Sequence, residues 1–453
     1  MNKWTVHVTD FGKIEKADIQ VSPLTLFVGD NNSGKSYMMT LIYGLLYLEI
    51  FFQKYEIDTD SAEFLNCCEI LDRVLSLNED GENTYTLSEE EISSLQELLN
   101  QILQNNKDRF LRNLFNREIQ IGRLWLEFPK ESHYELKVEH MNRIGIGGDS
   151  VTLRGSDREE RHMAGYAMEM ERLKEEETYR FFLSYIMEYM IKKGFEGMGK
   201  SSSVYFPTAR TGFLLTYKTL VGSAMEDKFN VQRDKTEKNL LTRPNSDFLT
   251  RLSSMSTQSW HEEYQDIVEF IENNVINGHI AVSDLPAHDI LYVPEGAEKE
   301  LPMFVTSGVV TELTPILLFL QYQNIRTMLI EEPEISLHPQ LQWQMARVLI
   351  RLKNAGVPVF VTTHSDIILQ HINNMIKASE LADKEEFLKN TEYDKDDLLK
   401  RDEVAVYQFD VKENQKTQVT KLSCGDYGFE AMTFYNTLEK LNQQICEIEN
   451  MEE

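Results

Sequence analysis

The chain has 453 residues, of which 42% are hydrophobic and 26% are charged, and its formal net charge is −28. This composition is typical of a folded protein rather than a disordered one, and the length predicts two or three domains. The negative charge argues against a broad nucleic-acid-binding surface, which needs basic patches, although a local basic groove stays compatible with it. The charge agrees with high solubility or with attraction to a basic partner protein.

Apolar runs such as "LIYGLLYLEIFF" and "ILLFLQY" are too short or too interrupted to span a bilayer. The first residues, "MNKWTVHVTDFGK", have no signal-peptide core, so we expect a cytoplasmic location without a membrane partner. The spacing of the four cysteines fits neither a disulfide framework nor a zinc site. We expect reduced, buried thiols at Cys67, Cys68, Cys424 and Cys446.

The first half of the chain predicts strands followed by helices. Alternation in "WTVHVTDFGKIEKADIQV" predicts strands, and "PLTLFVG" predicts a buried one. The pattern becomes helical at Tyr37, and residues 61–116 predict two or three amphipathic helices, with a cap and an acidic first turn in "TLSEEEISSLQELL". Alternation returns in "EIQIGRLWLEF" and "HYELKVEH", which predicts an antiparallel meander. Residues 158–194 are charge-rich and have helical periodicity.

The second half predicts strands that alternate with helices. "SSSVYFPTARTGF" predicts a strand that runs into a loop, residues 212–275 predict helices, and "DILYVPEGAEKELPMFV" predicts a hairpin before a further helix. A strand, a helix and a strand follow in "TMLIEEP", "PQLQWQMARVLIRLKNAG" and "PVFVTTHS". This order indicates a parallel sheet with crossover helices. We therefore predict an α/β fold in which a mixed sheet carries a large helical and β-stranded insertion.

A phosphate-binding loop is predicted by "FVGDNNSGKS", which matches the pattern G-x-x-x-x-G-K-[ST] at Gly29, Gly34, Lys35 and Ser36. A predicted strand precedes the loop and a predicted helix follows it, as nucleotide binding requires. Backbone N–H groups of such a loop face a polyphosphate, the lysine reaches the β- and γ-phosphates, and the serine hydroxyl holds Mg²⁺. The other predicted nucleotide-binding positions are Asp30, Asn31, Asn32 and Ser33.

Three carboxylates follow the apolar run "TMLI", and crowded carboxylates repel one another unless a cation lies nearby. We predict that Glu331 coordinates Mg²⁺ and that Glu332 polarises the water that attacks the γ-phosphate. Glu334 is expected to have a structural role in the loop. His364, at the end of the strand "PVFVTT", is predicted to bond the γ-phosphate or to position the water.

These segments together resemble the ABC-type ATPases that include SMC, RecF and the overcoming-lysogenization-defect nucleases. The likeness is greatest to stand-alone prokaryotic AAA family ATPases, and its carriers are "FGKIEKADIQVSPLTLFVGDNNSGKS", "YFPTARTG", the "TSG" signature, "IEEPEISLHP" and "YGFEAMTFYNTLEKLNQQ". The resemblance implies a P-loop NTPase fold of ABC-ATPase type. It implies an ATPase core in residues 1–60 and 201–453, with an insertion at 61–200.

The resemblance also implies a nucleotide site that a second subunit completes. Ser307 and Gly308 would contact the γ-phosphate bound by another copy, and Ser336–Pro339 would form the D-loop at that interface. The signature departs from LSGGQ, since two valines follow Gly308. For Arg210, the resemblance leaves open a place near the nucleotide, near the neighbouring subunit, or in a structural salt bridge. Gln53 is a weak candidate for the Q-loop glutamine.

As a function, the resemblance implies an ATP-hydrolysing sensor of an anti-phage defence system, with a PARIS-type ATPase as the nearest likeness and a Septu-type ATPase next. Its expected partners are another copy of itself, a separately encoded effector nuclease and a phage-encoded trigger, while direct nucleic-acid binding stays open. The alternative is a DNA-repair or chromosome-handling ATPase of the SMC and RecF kind. A fused nuclease is disfavoured because the acidic stretch "EYDKDDLLKRDEV" is expected to be a solvated surface. A transporter motor is disfavoured by the signature.

Overall fold

A computed structural model of the chain describes residues 3–47, 55–76, 84–129, 132–142, 149–155, 166–169, 176–193, 203–229, 241–256, 260–283, 289–433, 442–446 and 448. The strands are β1 Thr5–Phe11, β2 Ile14–Gln20, β3 Leu24–Gly29, β4 Thr84–Thr86, β5 Arg123–Glu127, β6 Glu135–Asn142, β7 Asp149–Gly155, β8 Tyr166–Glu169, β9 Ser203–Phe206, β10 Gly278–Val282, β11 Ile290–Pro294, β12 Leu301–Pro302, β13 Thr327–Glu331, β14 Val359–Thr362, β15 Val404–Val411, β16 Thr417–Lys421, β17 Cys424–Gly425 and β18 Gly428–Phe429. The α-helices are α1 Lys35–Leu46, α2 Ala62–Leu75, α3 Glu89–Phe115, α4 Glu176–Lys192, α5 Arg210–Phe229, α6 Arg243–Ser253, α7 Gln265–Ile271, α8 Gly308–Tyr322, α9 Pro339–Asn354, α10 Asp366–Ser379 and α11 Lys384–Asn390.

The chain divides into two compact units. The first unit comprises Met1–Val21 and Thr40–Ser203, and the second unit comprises Ser22–Met39 and Val204–Glu453. The boundary therefore falls inside α1, and the first unit contains the whole range of the predicted insertion, 61–200. The division of the ATPase core at residues 60 and 200 stays a prediction.

The first unit contains two antiparallel sets of strands. In one, β1 lies between β5 and β2, and Trp4, Val6 and Val8 are buried beneath it. In the other, the order is β4-β6-β7-β8. The predicted meander of "EIQIGRLWLEF" and "HYELKVEH" is therefore wrong, since β5 pairs with β1 and β6 pairs with β4 and β7. Their alternation predicts strands but carries no information about which strands pair.

Helices of the first unit follow the predicted pattern over residues 61–116. Ser88 caps α3 through a capping box, in which its side chain accepts from the N–H of Glu91 and the Glu91 carboxylate accepts from the N–H of Ser88. The helix predicted over 158–194 is wrong in part, because Tyr166–Glu169 is a strand that pairs with β7. Cross-strand pairing overrides the local helical periodicity there. The remainder of that helix is α4, and 158–165 and 170–175 lie outside the described residues.

The second unit is built on the strand order β16-β15-β3-β14-β13-β9. The neighbours of β3, which are β14 and β15, both run parallel to it, and β13 runs parallel to β14. Every residue of β3, β13 and β14 is buried, as is typical of parallel strands covered on both faces. Since carboxyl ends of parallel strands meet at one edge, the loops that begin at Gly29, Glu331 and Thr362 lie at the same end of this sheet.

The helices that flank this sheet begin at recognisable caps. The hydroxyl of Ser307 accepts from the N–H of Val310 at the start of α8, and Ser365 caps α10 through Ile368. Pro315 lies inside α8. The predicted hairpin is confirmed as β11 and β12, which pair antiparallel. The fold is an α/β P-loop NTPase fold, as predicted.

Two expectations about side chains are corrected by the structure. The acidic stretch 392–404 is not wholly solvated, because Asp397 is fully buried between the guanidinium groups of Arg347 and Arg351. All four cysteines are free thiols as expected, but only Cys67 is buried. Cys446 is exposed, as are residues 442–445 before it. Among the described residues, none of the helices has the length and hydropathy needed to cross a membrane.

Candidate functional site

The phosphate loop is held against β15 by a close backbone approach at Gly29. Its φ of +128° lies in a region that favours glycine, and a Cβ atom there would lie 2.3 Å from the carbonyl oxygen of Phe409. The N–H of Asp30 donates to the same oxygen at 3.3 Å. Asn32 and Gly34 also have positive φ, of +56° and +98°. The loop therefore folds back tightly between β3 and the start of α1, as phosphate cradling requires.

Lys35 is buried at the first position of α1, with its side chain directed back into the loop. Its Nζ donates to the carbonyl oxygens of Gly29 and Asp30 at 3.0 and 2.6 Å, and the hydroxyl of Ser33 lies 3.4 Å away. Burial lowers the pKa of Lys35 from 10.5 to about 8, against the opposing effect of Glu332, Asp30 and Glu334. The ammonium group thus lies within the electrostatic reach of the carboxylates that follow β13.

Glu331 is the last residue of β13 and is 8% exposed. One oxygen of its carboxylate, Oε2, accepts from both the N–H and the hydroxyl of Thr208 at 3.1 Å. These two donors fix the orientation of the carboxylate. The threonine belongs to the loop between β9 and α5, so two separate chain segments meet here.

Glu332 has a φ of +43°, which is unusual for a residue with a side chain. Its N–H donates to the carbonyl oxygen of Thr362 at 2.8 Å, so the turn is fastened to the end of β14. Burial and the neighbouring Glu331 raise the pKa of Glu332, and Lys35 and Arg210 lower it. A half-buried carboxylate with a raised pKa is a stronger base than a solvated one, as proton abstraction requires.

The side chain of Glu334 forms a hydrogen bond with the backbone of His364. The N–H of His364 donates to Oε1 of Glu334 at 2.5 Å, which ties the turn after β13 to the turn after β14. Burial raises the pKa of Glu334. Burial and the charge of Lys35 lower the pKa of His364, so the imidazole is neutral at pH 7. A neutral imidazole can accept a hydrogen bond from water, and the contact of Glu334 agrees with the structural role expected for it.

Arg210 is fully buried and forms a salt bridge within its own chain. Its Nε lies 2.8 Å from Oε2 of Glu312, while its Nη1 donates to the carbonyl oxygen of Glu331 at 2.7 Å. Its Nη2 donates to the carbonyl oxygen of Glu332 at 3.2 Å. Of the three places left open for this residue, the structural salt bridge is the one observed. Arg210 thus binds the backbone of Glu331 and Glu332, the two residues whose carboxylates belong to the site.

The predicted signature and D-loop residues contact each other. Ser307 and Gly308 are exposed at the start of α8, and a Cβ atom at Gly308 would lie 3.1 Å from Cβ of Ser336. Ser336 itself has a φ of +61°. The two segments therefore form one exposed surface of the second unit. Gln53 lies outside the described residues.

The model of the AAA ATPase domain family matches residues 3–145 and 213–369 of this chain. The chain belongs to this family. No curated protein matches the chain. The matched ranges of this AAA ATPase domain contain the phosphate loop, the signature residues and the residues Glu331, Glu332, Glu334 and His364. Thr208 and Arg210 lie between the two matched ranges.

Solved structures similar to this AAA ATPase domain include heads of SMC proteins. One is the SmcHead bound to the C-winged helix domain of ScpA, with 12% identity and a TM-score of 0.37 over 92% of this chain and 97% of that one. The SMC head domain from Thermotoga maritima has 11% identity and a TM-score of 0.34, covering 93% and 100% of the two chains. The Pyrococcus furiosus Smc head domain bound to the C-terminal domain of ScpA has 12% identity and a TM-score of 0.33, covering 99% and 100%. These values are too low to indicate a shared function.

The residues present could bind Mg²⁺ only if phosphate oxygens of a bound nucleotide supplied further ligands. Among the described residues there is no group of three or more histidine, cysteine or acidic side chains that could hold a metal by themselves. The exposed hydroxyl of Ser36 and the carboxylate of Glu331 are oxygen ligands of the kind that Mg²⁺ takes alongside water and phosphate. In this AAA ATPase domain, a magnesium ion would thus be held together with the nucleotide.

Two residues at this site were not identified from the sequence. Thr208 orients Glu331, and Glu312 neutralises the buried Arg210. Thr208 is the second residue after β9, at the carboxyl end of a strand, and that position is a weak signal for a polar ligand. Glu312 is the only charged residue in the helix "GVVTELTPILLFLQY", and a charged residue in a mostly apolar helix is expected to have a buried partner.

Proposed function

We propose that this chain binds and hydrolyses ATP, with Lys35 as phosphate ligand and Glu332 as general base. One observation carries the proposal: the loop after β3, which holds the buried ammonium of Lys35, and the turn after β13, which carries Glu332, lie at the same end of the parallel sheet on either side of β14. This is the arrangement that brings a γ-phosphate and its attacking water together.

In the proposed reaction, the loop N–H groups and Lys35 bind the β- and γ-phosphates. The oxygen of a water molecule attacks the γ-phosphorus, its proton passes to the carboxylate of Glu332, and the bond to the bridging oxygen breaks to release ADP. His364 accepts a hydrogen bond from the water or donates one to the γ-phosphate. When bound, Mg²⁺ would neutralise phosphate charge, with Ser36 and Glu331 as its protein ligands.

A Lys35→Ala variant tests this assignment. We expect ATP binding and phosphate release to be lost, while the circular dichroism spectrum and the thermal unfolding midpoint stay within a few degrees of the wild type. Unchanged hydrolysis in the variant would remove the phosphate loop from the mechanism. Lys13→Ala, at an exposed position of the first unit, is the matched control and should leave turnover unchanged.

We further propose that Ser307 and Gly308 complete the nucleotide site of a second copy of the chain. Their exposure beside Ser336 supports this, because the surface is free to meet a ligand from outside. The mass of Glu332→Gln in solution, measured by light scattering with and without ATP, tests it. A shift of the variant to a dimer or higher oligomer with ATP is expected. A wild-type protein that hydrolyses ATP at its full rate while it stays a monomer would refute the proposal.

The resemblance to stand-alone defence ATPases supports a biological role, which we propose as control of a separately encoded effector in an anti-phage system of PARIS type. ATP-dependent assembly would hold or release the effector after a phage-encoded trigger. Tagged Glu332→Gln, purified from its host with ATP, should bring down one protein in near-stoichiometric amount that carries nuclease motifs. Recovery of DNA alone would favour the DNA-repair ATPase of the SMC and RecF kind instead.

A further inference from the structure

A buried ion pair connects the signature helix to the turn that carries the predicted general base. Arg210 and Glu312 are 0% and 4% exposed, and their charged groups approach to 2.8 Å. A second anchor fixes the carboxylate, since the hydroxyl of Thr211 donates to its Oε1 at 2.6 Å. Arg210 Nε also donates to the backbone carbonyl oxygen of Glu312 at 3.2 Å, whereas Oε2 of Glu312 is held by the charge of Arg210 without a hydrogen bond. Because breaking one partner of a buried ion pair is costly, the two side chains keep their relative positions.

The arginine uses its remaining donors on backbone carbonyls rather than on other side chains. Nη1 and Nη2 donate to the carbonyl oxygens of Glu331 and Glu332, and Nη1 also donates to Pro207 at 3.2 Å. The planar, multidentate guanidinium can hold all of these groups at once, which an ammonium group cannot do. The backbone of the catalytic turn is thereby fastened to Glu312.

Glu312 lies one helical turn after Gly308 in α8. Residues four apart are neighbours on the same helix face, and a helical turn moves largely as a rigid piece. Any ligand or subunit that displaces Ser307 and Gly308 therefore displaces the carboxylate of Glu312 as well. The displacement reaches Arg210, because that residue has no other anionic partner within salt-bridge distance among the described residues.

At the other end of the link, Glu332 is held in a strained conformation from two sides. Its N–H is bound to Thr362, its carbonyl oxygen is bound to Arg210, and its φ is +43°. A strained backbone persists only where the surroundings enforce it. A shift of Arg210 would therefore loosen or alter the backbone conformation of Glu332. The direction of the Glu332 carboxylate would change with it, because the side chain is attached to the same Cα atom.

We propose that Arg210 and Glu312 are positioning residues that transmit the placement of the signature loop, Ser307 and Gly308, to Glu332. The inference rests on the proposed ATPase function and adds a regulated step to it. Turnover would then depend on what contacts the signature loop, because the two buried residues act on Glu332 through its backbone.

Glu312→Gln is the first test, since it keeps the shape of the side chain and removes its charge. We expect kcat to fall at least about tenfold, while the KM for ATP and the dissociation constant of ATP stay within about twofold. Arg210→Lys keeps the charge, loses the multidentate contacts, and should show the same split. Turnover in either variant at the wild-type rate would overturn the proposal.

The double variant Arg210→Met with Glu312→Leu distinguishes a positioning role of this ion pair from a role in stability alone. Replacing a buried ion pair by apolar residues often restores stability. We expect the thermal unfolding midpoint to return towards the wild type while kcat remains as low as in Glu312→Gln. Recovery of kcat together with stability would show that the pair only holds the fold.

The coupling itself is tested by Ser307→Ala in two backgrounds. If the loop acts through Glu312, the serine substitution lowers kcat by a smaller factor in Glu312→Gln than in the wild type. Equal factors in both backgrounds would overturn the link. All of these assays include the wild type and Lys35→Ala. If the wild type and Lys35→Ala hydrolyse ATP equally, the ATPase proposal itself is refuted. If the wild type hydrolyses ATP and the Glu312 variants do so at the same rate, only the link is refuted.

Discussion

The Nζ atom of Lys35 lies 2.6 Å from the carbonyl oxygen of Asp30, a residue of the loop that its own helix follows. The ammonium group that would bind a phosphate therefore donates to carbonyl groups of its own loop in this structure. Binding of ATP exchanges carbonyl contacts for stronger, charge-assisted ones. The free energy gained on ATP binding therefore depends on whether Lys35 is protonated.

ATP affinity is expected to decline with alkaline pH because the pKa of Lys35 is lowered to about 8. Below that pH the ammonium is charged, and above it the affinity should fall by up to about tenfold per pH unit. Titration calorimetry from pH 7 to 9.5 measures this. Lys35→Met, which has no proton to lose, is the control and should bind weakly across the whole range.

Unfolding does not account for such a decline. The folded pKa of Lys35 lies below its ordinary value of 10.5, so the folded state binds fewer protons than the unfolded state between about pH 8 and 10.5. The contribution of this residue to the free energy of unfolding therefore rises over that window. A stability loss that parallels the affinity loss would contradict the assignment.

Glu332→Gln should bind ATP and hydrolyse it at least about a hundredfold more slowly, because an amide cannot accept the proton of the attacking water. Radiolabelled ATP retained after rapid filtration measures binding, and phosphate release measures turnover. Glu334→Gln is a useful comparison, since the side chain of Glu334 accepts from the N–H of His364 and is not expected to act as the base. Wild-type turnover in Glu332→Gln would require another base.

Gly29→Ala should weaken both the fold and ATP binding. The added Cβ would meet the carbonyl oxygen of Phe409 at 2.3 Å, and the φ of +128° is unfavourable for alanine. We expect a loss of at least about 2 kcal/mol in the free energy of urea unfolding, the range of a strained backbone combined with a clash. Gly212→Ala, in α5 with nothing within 4 Å of the new Cβ, is the control. It should be neutral or slightly stabilising.

Asp397→Ala should destabilise the second unit by about 3 to 5 kcal/mol, because it leaves the guanidinium groups of Arg347 and Arg351 without their shared buried carboxylate. Urea unfolding measures the loss. Glu392→Ala removes a half-exposed carboxylate that lies 3.5 Å from Arg347, and its cost should stay below about 1 kcal/mol. Equal effects of the two substitutions would show that Asp397 is not the anchor of this segment.

The sequence predicted the phosphate loop and the carboxylates after β13 because each is a local motif whose function requires fixed spacing. It did not predict the burial of Asp397, whose arginine partners lie 50 and 46 residues away in the chain. It also did not predict that β5 pairs with β1, since alternation identifies a strand and not its neighbour. Thr208 and Glu312 were missed for the same reason, because their roles arise only from contacts with distant segments.

Pro315 lies three residues beyond Glu312 in α8. Proline has no N–H group, so it cannot donate to the carbonyl of Thr311 as an ordinary residue at this position would. The bending stiffness of the helix is consequently lowest at that step. If the turn that carries Glu312 moves as proposed, α8 would bend at this missing hydrogen bond, so the residues beyond Pro315 could keep their buried positions.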